Sequence, residues 1–72
     1  MDTKLVRLRI EREKLGLSQA RLAAATPSMH PSSISQIEAG RKPGFKQRYL
    51  IAQAMREHGW NGEGDLFEEV IA

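Results

Sequence analysis

The chain contains no cysteine, so neither a disulfide nor a thiolate metal site is available to stabilise it. Aromatic residues make up only 6% of it, valine is sparse, and no four-residue alternating segment stands out, which argues against a sheet. No apolar run approaches the roughly 20 residues of a membrane span. The opening "MDTKLVRLRI" is interrupted by charges and is followed by no small-residue cleavage site, so it does not read as a signal peptide. The expected compartment is therefore the cytoplasm. Acidic residues are also few over most of the length. Residues 1–56 carry all 11 Lys and Arg, and their acids are Asp2, Glu11, Glu13 and Glu38. Residues 57–72 reverse the balance, with Glu57, Glu63, Asp65, Glu68 and Glu69 and no Lys or Arg. The formal net charge of +2 conceals this polarity. Such a chain is expected to turn a basic face to a polyanion and to keep its acidic end away.

What is present points to a folded domain. Hydrophobic residues are 40% and charged residues 28%, a globular rather than disordered balance. With 72 residues, the expectation is a single domain spanning 1–72 with a small core and a thin stability margin. Two lone histidines, His30 and His58, have no neighbouring ligand partners, so no metal is expected. No nucleophile–base pair and no phosphate-binding loop occurs, which speaks against an enzyme and against a cofactor.

The apolar periods are helical. Leu5, Leu8, Arg12 and Leu15 share one face of a first helix over about 3–14, closed by Gly16. Ser18 is placed to cap a second helix, with Leu22 and Ala23 inward and an end near Ala25, because Pro27 disfavours a helical Thr26. Pro31 suits the first position of a third helix over 31–39, and Gly40 can end it in a left-handed conformation. A fourth, over 45–57, gathers Phe45, Tyr49 and Ala52, with Met55 or Arg56, on one side, and Gly59 ends it. Trp60 is expected to cover the core. Asp65, with Glu68 three residues later, resembles the start of a short fifth helix over 66–71. The reading is all-α: a compact five-helix domain.

On the third helix Ile34 and Ile37 mark the inward side, and positions 32, 35, 36 and 39 form the opposite stripe: Ser, Ser, Gln and Ala. Side chains this short allow a helix backbone to sink into a major groove about 12 Å wide. The Gln36 amide offers one donor and one acceptor, matching adenine N6 and N7, whereas serine discriminates less. No arginine lies on the stripe, so the commonest guanine contact is missing from it. Arg41 and Lys42 follow Gly40, where they suit either a phosphate grip or the negative end of the helix.

Two short adjacent helices with a tight link form a helix-turn-helix. "GLSQARLA", "SSISQIEAGRKP", "FKQRYLIAQAM" and, more weakly, "DLFEEV" resemble, in this order and spacing, the phage repressor and Cro family, also called the xenobiotic-response-element family. The resemblance covers about Leu8 to Val70. It implies a repressor-like fold and a sequence-specific transcriptional regulator, a repressor of phage or bacterial type, that binds double-stranded DNA as a homodimer. It places Pro31, Ser32, Ser35 and Gln36 on the base-facing positions. Ser18, Gln19, Ser33, Arg41, Lys42 and Arg9 are the expected phosphate contacts. It pairs Arg12 with Glu38 as a structural ion pair and makes Ala23 the small residue at the helix crossing. Family members have one residue fewer between the two helices and a glycine there. "ATPSMHPS" is longer by one and has no glycine, so Thr26, Pro27 and Ser28 must turn the chain by another route.

That departure leaves an alternative standing: the same fold used to bind a regulatory protein partner, as an antitoxin or anti-repressor does. Leu66, Phe67, Val70 and Ile71 read equally as core and as a dimer face. No small-molecule ligand is expected.

Overall fold

The computed structural model describes residues 4–71, in the order β1 (Lys4–Val6), α1 (Arg7–Lys14), α2 (Gln19–Ala25), α3 (Pro31–Glu38), α4 (Phe45–Glu57) and β2 (Glu69–Ile71). Four of the five expected helices form. The side chains of Lys4, Leu5 and Ile71 lie outside the described residues.

The helix ends follow from local chemistry. The Ser18 hydroxyl accepts the Arg21 N–H at 3.1 Å, satisfying one free donor of the first turn of α2. Pro31 occupies the first turn of α3, where its missing N–H costs nothing. At the other end Gly40 takes φ +118°. That lets the Arg41 N–H reach the Gln36 carbonyl at 3.0 Å and the Gly40 N–H reach Ile37 at 3.1 Å, the paired bonds of a Schellman motif.

The fifth helix is a correction. Residues 66–68 form a turn, in which Asp65 Oδ1 accepts the Phe67 N–H at 3.0 Å, and Glu69–Ile71 is a strand. It pairs antiparallel with β1 in the register Lys4↔Ile71, Leu5↔Val70, Val6↔Glu69. The first helix accordingly begins at Arg7, not near residue 3. The physical reason is a better use of backbone groups. Val6, at the N-cap of α1, has no side-chain acceptor. The carbonyls of Glu68 and Leu66 take its place, accepting the Arg7 N–H at 3.0 Å and the Leu8 N–H at 2.7 Å. A six-residue helix would be marginal alone. Paired with residues 4–6, the same segment satisfies two orphan donors and lets β-branched Val70 extend.

The core is one cluster. Leu8, Leu22, Ile34, Ile37, Ile51 and Met55 are fully buried, joined by Val6, Leu17, Ala23, Ala54, Trp60 and Leu66. The inward side of α4 is thus Ile51, Ala54 and Met55, and the face of Phe45 and Tyr49 turns outward. Among the described residues no helix is long and apolar enough to cross a membrane.

Candidate nucleic-acid interface

The orientation of α3 is set by a buried polar knot. Arg12 Nε donates to Glu38 Oε2 at 2.7 Å, Nη2 donates to Oε1 at 3.0 Å, and Nη1 donates to the Leu17 carbonyl at 2.7 Å. Gln19 Nε2 donates to the same Glu38 Oε1 at 3.0 Å. Arg12 is 7% exposed and Glu38 8%. One bidentate pair therefore joins α1, the loop after it, the first residue of α2 and the last turn of α3. The hydrogen bonds it donates to Glu38 hold the Arg12 guanidinium above its ordinary pKa, against burial, which lowers it.

The turn from α2 to α3 is made without glycine. Ser28 adopts φ +58°, the left-handed region that L residues seldom occupy. Thr26 is buried and its Oγ1 donates to the Leu22 carbonyl at 2.7 Å, closing α2. His30 is extended and feeds directly into Pro31.

Along α3, Ile34 and Ile37 are buried, and Pro31, Ser32, Ser35 and Gln36 are exposed, with Ser33 half-buried. Arg41 and Lys42 are exposed on the loop that follows. Arg9, Gln19 and Ser35 border one cleft of about 360 Å³, with the Arg12–Glu38 pair at its base and Ala39 at its edge. Arg9 is exposed and 3.6 Å from Glu13. Ser18 keeps its hydroxyl proton to give, since its oxygen only accepts from Arg21. Gln19, committed through one amide N–H to Glu38, keeps its carbonyl and its second N–H.

Of the four residues that read equally as core and as a dimer face, Leu66 is 2% exposed and belongs to the core, and Phe67 packs against that core. Leu66 therefore has no surface to offer a partner. Val70 is half-buried in β2, and the side chain of Ile71 lies outside the described residues. The acidic end, expected to stay away from the basic face, comes round to it. Asp65, Glu68 and Glu69 border the same cleft as Arg41, Lys42 and Arg48. The strand pairing that carries them there joins segments at opposite ends of the chain, which local pattern does not reveal.

An exposed helix of short polar side chains, locked to two others and ending in exposed cations, defines a helix-turn-helix DNA-binding domain. The sequence profile of a helix-turn-helix family matches residues 8–59, and the chain belongs to that family, of the Cro/C1 type, a DNA-binding domain of transcription regulators. Comparisons with curated proteins and with solved structures found no match.

Proposed function

We propose that the chain is a sequence-specific repressor that binds double-stranded DNA as a homodimer and excludes polymerase sterically. The observation that carries this reading is the exposed stripe Pro31, Ser32, Ser35 and Gln36 on a helix whose other side is fully buried. Nothing bulky on that stripe keeps the helix from the base edges, and Gln36 supplies the one side chain with paired donor and acceptor. Ser18, Gln19, Ser33, Arg9, Arg41 and Lys42 contact phosphates on either side, which sets register and orientation without reading sequence. Two copies seat their recognition helices about 34 Å apart, in successive major grooves.

The test is selection of bound duplexes from a random pool, followed by salt titration of the selected site against random DNA. Repression requires a selected (pseudo)palindrome bound at least about 10³-fold more tightly than random DNA at physiological salt. Failure to enrich any site, with identical salt slopes on all sequences, refutes sequence-specific reading. A transcription assay with the enriched site overlapping a promoter then separates repression from activation.

A further inference from the structure

The outward face of α4 leaves its apolar side chains exposed. Among the described residues the two exposed large hydrophobic side chains, Phe45 at 89% and Tyr49 at 62%, both lie on it. Two adjoining hollows of about 340 and 390 Å³ run along this face, and Tyr49 and Ala52 border both. Two cations on it are held in place by rings of the same chain. The Arg48 guanidinium lies 5.6 Å from the Phe67 ring centroid, and that of Arg56 lies 5.9 Å from the centroid of Trp60.

The order of residues along this face is self-complementary. It reads Phe45, Arg48, Tyr49, Ala52, Gln53, Arg56. Reversed and laid against itself, it sets Phe45 against Arg56, Arg48 against Gln53, and Tyr49 against Ala52. All three pairings share one centre, between Leu50 and Ile51. Each joins unlike and compatible groups. The Tyr49 ring fills the hollow left by the short Ala52 side chain, knob into hole. Phe45 meets the exposed side chain of Arg56, whose guanidinium also lies over Trp60. Arg48 donates to the Gln53 side-chain carbonyl, which a glutamine supplies without a charge. A parallel arrangement would instead oppose Arg48 to Arg48 and Arg56 to Arg56, stacking like charges.

We propose that this face is a two-fold self-association surface, on which α4 of one copy packs antiparallel against α4 of a second. It rests on the homodimer part of the function proposed above and assigns that dimer a surface. It differs from the other candidate face, Leu66, Phe67, Val70 and Ile71, of which Leu66 is buried within the fold.

Because the chain has no cysteine, single cysteines report the geometry cleanly. A disulfide forms only where two Cα atoms come within about 7 Å. Tyr49→Cys and Ala52→Cys chains are mixed and oxidised, and the linked products are resolved by mass. Antiparallel pairing predicts that the mixed 49–52 product forms faster than either the 49–49 or the 52–52 product. Faster 49–49 linkage, or no linkage of any kind, overturns the proposal. Sedimentation of the intact chain is the second measurement, with Tyr49→Glu as the control and circular dichroism to confirm its fold. Tyr49→Glu should weaken self-association by roughly thirtyfold or more, the loss typical of a central aromatic anchor. An unchanged dissociation constant, or a wild type that stays monomeric in the millimolar range, overturns the proposal as well. The two readings fail separately. A chain that forms the 49–52 link and enriches no DNA site loses the repressor function and keeps this surface. A chain that binds its site as a dimer and never forms the link keeps the function and loses this surface.

Discussion

Gln19 and Glu38 share a hydrogen bond of 3.0 Å, so the residue that opens α2 is held by the carboxylate that also anchors Arg12. A residue expected at a DNA phosphate is thereby fixed from within the core. The carboxylate is one group serving two helices, and its loss is felt in both.

Removing one member of the Arg12–Glu38 pair leaves a buried charge without its partner. Arg12→Met and Glu38→Gln should each cost about 3–5 kcal/mol, and the double variant less than their sum. In a domain of this size each kcal/mol lowers the melting temperature by about 4–8 °C, so either single variant is close to unfolded at room temperature. Thermal melts of the three variants check it; small, additive losses would mean that the pair contributes nothing in solution.

The pH dependence of that contribution has a defined sign. The folded-state pKa of Arg12 lies above its unfolded value. The stability it supplies is therefore complete below the ordinary arginine value and is lost only as pH rises through the raised one. From neutral pH upward, the gap in melting temperature between wild type and Arg12→Met should stay constant until strong alkali. A gap that narrowed between pH 7 and about pH 10, well below the arginine range, would refute this assignment.

Ser28 occupies a conformation that costs an L residue about 1–2 kcal/mol and costs glycine far less. Ser28→Gly should therefore raise stability by about 0.5–1 kcal/mol, after the extra chain entropy of glycine is subtracted. Ser28→Val should lower it, because a β-branched side chain fits that region worst. Chemical denaturation midpoints of the two variants, moving in opposite directions, are the expected result.

Gln36 and Arg41 should differ in kind. Gln36→Ala should cost about 1–3 kcal/mol at one operator position and leave the salt slope nearly unchanged. Arg41→Ala should weaken binding to every sequence and lower the slope by about one unit. Affinities for the selected site, its single-base variants and random DNA, at several salt concentrations, separate the two. Equal losses for Gln36→Ala on all sequences would show that the longer turn has rotated α3 away from the bases.

Leu66→Ala should destabilise the fold by about 2–5 kcal/mol, the cost of emptying a fully enclosed leucine site. The loss should be the same at all protein concentrations. A melting temperature that depended on concentration in the wild type and lost that dependence in Leu66→Ala would return this residue to an intermolecular contact.

Four helices, and those of their ends marked by a residue with one strong preference, were legible in the sequence: Ser18 at a cap, Pro31 in a first turn, Gly16, Gly40 and Gly59 past an end. The buried side of α3 was equally plain from Ile34 and Ile37. Residues 66–71 were not, because apolar positions at 66, 67, 70 and 71 fit a helix face as well as a core turn followed by a strand. A three-residue strand has no period to read, and its partner lies at the far end of the chain. The direction of the Phe45 and Tyr49 face was lost for another reason: α4 carries apolar residues on two sides, and only packing decides which is covered.

The β1–β2 ribbon also sets an order of events in folding. Arg7 and Glu68 stand 61 positions apart, and bringing such distant segments together carries a closure entropy on the order of 3–4 kcal/mol beyond a constant. The helical contacts of α1 to α4 close shorter loops and so form at lower cost. The ribbon should therefore zip last in refolding and open first in the native state. The amide protons of Arg7 and Leu8, whose acceptors are the carbonyls of Glu68 and Leu66, report that step directly. In hydrogen exchange they should lose protection at a lower opening free energy than the amides of Ile34 and Ile37. The recognition helix would then stay in place while the ribbon opens and closes beside it.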